Sequence, residues 1–200
     1  VCWDGVGGSE KKRTINKNYK QGRKPLRLNR RMIKLSIKQQ EKNKAFQQIR
    51  LMDYLNEMPV IQTMIDYVEA DDVIAFVAQH ERYANWEKVI VSSDKDFFQL
   101  LEGDCALYRP IQKTFMNKPR IMEEFGIHPT NFAMARAIAG DGSDNLEGVR
   151  GVGLKTIAKK MKFFGKEDSV TLAELYKYCE NDSTGLKAFT SILEVKDKIA

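Results

Sequence analysis

Lys88-Val89-Ile90-Val91-Ser92 is the stretch that most limits what this chain can become. Three successive β-branched side chains suit a pleated surface and crowd a helix, so the run predicts a short strand buried on both faces. Ser93 and Asp94 follow at its carboxyl end. Val1-Cys2-Trp3 repeats the pattern, an apolar run that stops at Asp4. Ala106-Leu107-Tyr108 and part of Val60 to Val68 are further strand candidates. Short strands alternating with helices predict an α/β fold, a mostly parallel central sheet flanked by helices. Ligands collect at the carboxyl ends of such strands, where Asp4 and Asp94 are expected to stand.

The helices are read from spacing. Phe46, Ile49, Met52 and Leu55 recur at three-residue steps, predicting a helix from about Met32 to Met58 that Pro59 ends. Glu69 is expected to open the next, with Val73, Ile74, Phe76 and Val77 on its apolar side. Phe97 to Leu101 reads as a further helix start. Pro129 to Phe164 reads as helical around a glycine-rich hairpin, and the chain beyond Asp168 as more helices. Trp3 and Trp86 flank strands and are expected to pack. His80 and His128 have no partners in a triad arrangement and are expected at the surface.

Two hundred residues suffice for one sizeable core with a small appended lobe. No run of about 18 apolar residues and no signal-peptide pattern occurs, so no membrane partner is expected. Cys2, Cys105 and Cys179 are odd in number and match neither a zinc spacing nor a disulfide framework. Inert thiols in a cytoplasmic protein are the expectation. Because the chain opens inside an apparent strand, it is expected to be a fragment lacking its natural start. Net charge is +6, unevenly spread. Residues 1–50 hold 15 Lys and Arg against three acids, a net +12, and the remainder carries −6. That asymmetry suits a basic surface for a polyanion beside an acidic pocket that recruits cations.

The acids recur in short clusters: Asp4; Glu69-Ala70-Asp71-Asp72; Asp94-Lys95-Asp96; and Asp141-Gly142-Ser143-Asp144. Carboxylates repel one another, so gathering them calls for a cation, and oxygen-only ligands suit Mg²⁺ or Mn²⁺. Each cluster taken alone also reads as a helix start, a solvated turn or an Asx turn. Asp71 stands about 200° round a helix from Glu69, so only a frayed first turn aims Glu69, Asp71 and Asp72 at one point. Gly148-Val149-Arg150-Gly151-Val152-Gly153-Leu154-Lys155-Thr156 permits a tight hairpin between helices. The helix after it offers free N–H groups to a phosphate, without reading base edges. In Tyr19-Lys20-Gln21-Gly22-Arg23, Lys20 and Arg23 can clamp one phosphate and Tyr19 can stack on a base.

The order of these motifs resembles the 5′-nuclease superfamily: phage 5′–3′ exonucleases, the 5′-nuclease domain of bacterial DNA polymerase I, and flap endonucleases. The resemblance covers residues 1–165 and is nearest the phage and bacterial branch. It implies a PIN-like core over 1–128, with a basic helical arch at about 10–50. It also implies a helical region over 129–200, with a helix–three-turn–helix (helix-hairpin-helix) element at about 138–165. Two Mg²⁺ ions are implied, with Mn²⁺ able to substitute. Asp4, Glu69, Asp71 and Asp94 would serve the first site, and Asp96, Asp141 and Asp144 the second, with Asp72 beside them. Lys20 and Arg23 would face the scissile phosphate within the arch, next to Tyr19. Gly148, Gly151, Gly153, Lys155 and Thr156 would grip the duplex backbone, with K⁺ at that hairpin as in some relatives. The family has a further metal-site Asp upstream of the Asp4 position, and no residue here precedes Val1.

The implied activity is Mg²⁺-dependent, structure-selective hydrolysis of DNA phosphodiesters at 5′ flaps or ends, extending to RNA primers in RNA/DNA hybrids. It belongs to replication or repair, alongside replication proteins, in a monomer in the cytoplasm of a bacterial or phage-infected cell. Two other readings stand beside it. One is a non-catalytic module that binds DNA ends or flaps; the other is a PIN-like RNase.

Overall fold

Two short parallel strands begin the architecture of this computed structural model, which describes residues 1–21 and 35–196. β1 (Cys2–Trp3) lies in the first of two units, Val1–Val73. α1 (Glu10–Ile15) and α2 (Ile37–Asn56) follow it. β2 (Thr63–Met64) then pairs with β1, Cys2 opposite Thr63 and Trp3 opposite Met64. Arg23 and its neighbours in the expected arch lie outside the described residues. α2 starts at a capping box, where the Gln39 backbone N–H donates to the Ser36 hydroxyl and the Ser36 N–H donates to Gln39 Oε1 at 2.9 Å. Its end at Asn56 fits the stop expected before Pro59. Its apolar face is not buried, however, and Phe46 and Ile49 are exposed. Spacing gives a helix its stripe, but burial requires another element to cover it.

A close backbone approach follows β1. The Gly5 N–H donates to the Val68 carbonyl at 3.0 Å. A Cβ at Gly5 would stand 1.8 Å from the Ile65 carbonyl oxygen, so only glycine permits this contact. It brings Asp4 beside the start of α3 (Ala70–Gln79), where the Asp4 carboxylate accepts the Ala70 N–H at 2.9 Å.

The second unit, Ile74–Ala200, holds the main core. β3 (Lys88–Val91) and β4 (Cys105–Arg109) are parallel, with Val91 opposite Tyr108. β5 (Thr114–Met116) returns antiparallel, Leu107 opposite Met116. The sheet is therefore small and mixed rather than mostly parallel. The link from Arg109 to Thr114 is a short turn with Lys113 at a left-handed φ of 53°, and so short a link joins antiparallel strands. Nor is β3 buried on both faces. Ile90 is buried, while Val89 and Val91 are 48% and 65% exposed, because alternate side chains face away from the core. The expected helix at Phe97 is a single 3₁₀ segment, Asp96–Leu100.

α4 (Lys118–Phe125) is capped by the Asn117 side chain and ends at Gly126, left-handed at φ 64°. α5 (Phe132–Ala139), the pair β6 (Gly140–Asp141) and β7 (Leu146–Glu147), α6 (Leu154–Lys160), α7 (Leu172–Glu180) and α8 (Lys187–Glu194) complete the unit. One cluster of buried side chains runs from Ile90 to Ile192, so residues on either side of position 128 share a core. The Phe98 ring meets Phe125 and Phe132 at 5.5 and 5.2 Å, and each fully buried ring contributes about 2–3 kcal/mol. Buried Asn131 staples the loop after α6. Its Nδ2 donates to the Lys166 and Asp168 carbonyls at 2.9 and 3.0 Å, and its Oδ1 accepts the Val170 N–H at 2.8 Å.

Two packing expectations are reversed. His128 is buried, its backbone N–H donating to the Phe164 carbonyl at 2.9 Å, because its neighbours Ile127 and Pro129 carry it into the core. Trp86 is exposed, and its ring meets Tyr83 edge-on at 5.5 Å. Cys105 and Cys179 are buried free thiols, as expected of inert ones. Burial, aided by Asp182 and Glu180, pushes the Cys179 thiol up to about 11. Among the described residues, no helix is long and apolar enough to cross a membrane.

Candidate metal centre

Glu69 sits just ahead of α3, outside the helical turn that begins at Ala70. Asp71 and Asp72 lie in the first turn, and all three can offer a carboxylate oxygen within 4.8 Å of one another. No frayed turn is needed for this: the Val73 N–H already donates to the Glu69 carbonyl at 3.3 Å, and Glu69, flanking an intact first turn, reaches Asp71 and Asp72 from there. Glu69 is only 3% exposed, yet its charge is well compensated. Lys12 from α1 makes a short contact with it, the Lys20 ammonium donates at 2.6 Å, and the Tyr19 hydroxyl donates at 3.3 Å. Burial works against the Glu69 charge, but hydrogen bonds from Lys12 and Lys20 outweigh it and hold the carboxyl below its ordinary pKa. Burial also opposes the Lys12 charge, and the Glu69 bond with the Asp71 and Glu69 carboxylates overcomes it, raising that ammonium. Lys12 reaches Asp72 at 3.4 Å and Asp71 at 3.8 Å. Burial raises the Asp71 pKa despite Lys12, helped by the neighbouring Glu69 and Asp72 charges.

Tyr19, expected beside a base, is packed inward with Lys20 over its ring at 5.0 Å. Lys20 takes a left-handed φ of 55°, uncommon for a side chain with a Cβ, which turns its ammonium onto Glu69.

The second unit builds its own acidic group where β3 ends. Asp94 accepts the Asp96 N–H at 3.0 Å, so a tight turn places both acids after the strand. Arg136 of α5 bridges Asp96 and Asp141, its Nε 3.1 Å from Asp96 and its Nη2 in a short contact with Asp141. Asp141 also accepts the Ser143 N–H at 2.8 Å and the Ser143 hydroxyl at 2.7 Å. Burial disfavours the Asp141 charge, but those Ser143 bonds and Arg136 prevail and lower its pKa. Asp96 goes the other way: burial first, then Asp94, raises it against the pull of Arg136. Asp144 is buried, and its backbone N–H donates to the Asp141 carbonyl at 3.1 Å.

The hairpin that carries Asp141 and Asp144 rests on two glycines in backbone contact. Gly140, at φ 76°, and Gly148 leave no room for a Cβ on either. The Val149 N–H donates to the Ile138 carbonyl at 2.7 Å, returning the chain alongside α5. Gly151 turns at φ 78° with open space around it, and Gly153 precedes α6, which carries Lys155 and Thr156.

Lys12 and Arg136 are the site residues that sequence reasoning missed. Lys12 is one cation in the run Lys11-Lys12-Arg13 and carries no local mark. Arg136 does carry one, being the only charged residue of α5. Among the described residues, two groups of three potential ligands come within 4.8 Å: Glu69-Asp71-Asp72, and Glu102-His128-Glu167. The first fits a hard divalent ion, since its donors are all carboxylate oxygens and it already draws in an ammonium. The second mixes a histidine with two acids and is neutralised by Lys118, 3.2 Å from Glu102 and 3.6 Å from Glu167.

Known proteins place these observations in a family. A protein of Shewanella sp. (strain MR-4) named flap endonuclease Xni is 29% identical over 197 residues, covering 98% of this chain and 67% of its own length. A 5′-3′ exonuclease of Aquifex aeolicus is 33% identical over 102 residues, 51% of this chain and 35% of that one. A solved bacteriophage T5 flap endonuclease pseudo-enzyme–product complex, with DNA and metal ions, shares the fold at a TM-score of 0.72 and 16% identity. That alignment covers 99% of this chain and 68% of the phage chain. The family described as 5′-3′ exonuclease, N-terminal resolvase-like domain, matches residues 1–126. With most of its length so matched, the chain belongs to the 5′-3′ exonuclease family, as the order of its motifs implies.

Proposed function

We propose that this chain is the working part of a Mg²⁺-dependent, structure-selective 5′–3′ exonuclease or flap endonuclease, with Mn²⁺ able to replace Mg²⁺. The observation that carries this reading is the convergence of Glu69, Asp71 and Asp72 on one point around an ammonium, in a member of this family. Like charges so close favour a bound cation. Asp4, Glu69, Asp71, Asp72, Asp94, Asp96, Asp141 and Asp144 supply the carboxylates for two divalent ions. Such ions, when bound, polarise a phosphate oxygen and lower the pKa of water. Lys20 and Arg23 neutralise charge building on the scissile phosphate. Gly148, Gly151, Gly153, Lys155 and Thr156 hold the duplex backbone without reading sequence, with K⁺ at the hairpin. The substrates are DNA with a 5′ flap or 5′ end and RNA primers on DNA, met by a cytoplasmic monomer in replication or repair.

A labelled 5′-flap duplex tests this directly. Cleavage near the flap junction in Mg²⁺, its disappearance in EDTA and indifference to base sequence are expected. Asp71 and Asp96 both have raised pKa values, so protons compete with the metal from above the ordinary carboxylate range and cleavage falls as pH drops. Metal-independent cleavage, or cleavage of single-stranded RNA in preference to the flap, would sink this assignment.

A further inference from the structure

We propose that Lys12 is a tethered counter-cation that fills the point between Glu69, Asp71 and Asp72 at the start of α3 until a divalent ion takes its place. The proposal rests on the metal-dependent reading above and adds a role for a residue outside the expected ligands and phosphate clamps.

Three carboxylates with oxygens within 4.8 Å repel one another and draw a cation between them. Lys20 and Tyr19 hold Glu69, and the first turn of α3 holds Asp71 and Asp72, in place without Lys12. Lys20 contacts Glu69 alone among them, at 2.6 Å. Lys12 reaches all three, in a short contact with Glu69 and at 3.4 and 3.8 Å from Asp72 and Asp71. Its ammonium therefore occupies the place a shared metal ion would take. Two features suit it to leave. Its side chain is 35% exposed, so a path to solvent is open. It also stands on α1, a six-residue helix with no buried residue, which moves without disturbing a core. A divalent ion brings twice the charge and takes several oxygens at about 2.1 Å, closer than an ammonium approaches. Metal loading is then an exchange of cations in a preassembled cluster. The neutral side chain of Lys12→Met would remove the competitor.

The test is a calorimetric titration of MnCl₂ into the metal-free chain. Lys12→Met is expected to bind Mn²⁺ about five- to tenfold tighter than wild type, the effect of losing several half-exposed ion pairs. Lys12→Arg keeps the charge and is expected to stay within about twofold of wild type. So is Lys11→Met, which makes the same charge change on an exposed neighbour. Should Lys12→Met lack a native circular-dichroism spectrum, Lys12→Gln, whose amide still donates to Glu69, carries the same expectation. Unchanged or weaker Mn²⁺ binding in the folded neutral variant, or equal tightening by Lys11→Met, overturns the proposal and leaves the nuclease reading intact. A purely structural Lys12 would weaken binding when replaced. Wild type that binds no Mn²⁺ overturns both.

Discussion

Asp94→Ala is expected to reduce flap cleavage at least about 10³-fold while duplex binding in EDTA changes less than about threefold. The size follows from the proposed role of Asp94 as a ligand of a catalytic ion, since such an ion's stabilisation of transition-state charge is worth several kcal/mol, at about 1.4 kcal/mol per factor of ten. The selectivity follows from where Asp94 lies. It is exposed just beyond β3, and its visible structural work is to accept the Asp96 N–H at 3.0 Å. Losing one exposed turn hydrogen bond costs about 1 kcal/mol, too little to unfold the unit. Steady-state cleavage of a labelled flap, paired with fluorescence anisotropy on the uncleaved substrate, separates the two effects. Equal losses in binding and cleavage would assign Asp94 to DNA contact instead.

Gly148→Ala is expected to cost about 3 kcal/mol or more, lowering the melting temperature by roughly 6–12 °C. The new Cβ would stand 2.2 Å from the Ala139 carbonyl carbon, 2.3 Å from its oxygen and 2.4 Å from the Gly140 nitrogen. All three are backbone atoms and cannot swing aside. Relief requires β7 to move off β6, breaking the Gly140–Glu147 and Asp141–Leu146 pairings and the Val149 bond to Ile138. Asp141 and Asp144 would move with it, so activity should fall further than stability alone explains. Gly151→Ala provides the contrast. Nothing lies within 4 Å of its Cβ, and the left-handed φ of 78° is the sole penalty, about 1 kcal/mol. Calorimetric melts of both variants check the order, and similar losses would contradict the close-approach account.

The elements that were legible in sequence are those set locally. Val89, Ile90 and Val91 declare a strand because β-branching acts within each residue, and the acids after it need only a turn. The cluster at Glu69 was legible as a run of acids at a helix start, but not the way it gathers: the expected frayed turn is absent, and Glu69 reaches Asp71 and Asp72 from just ahead of an intact helix. What escaped depends on distant partners. The exposed face of α2, the exposed Val89 and Val91 and the buried His128 are fixed by what does or does not pack against them. β5 is three residues long, too short for any pattern. Lys12 was hidden among many lysines, since nothing local says which ammonium will meet Glu69, 57 residues away in sequence.

The proposed chemistry requires carboxylates that hold divalent ions. The most direct test is the anomalous difference map of a crystal of this chain soaked in Mn²⁺. A peak against the oxygens of Glu69, Asp71 and Asp72, with the Lys12 ammonium withdrawn, is the predicted result. Density at Glu102, His128 and Glu167 alone, or no Mn²⁺ beside Glu69, would contradict it.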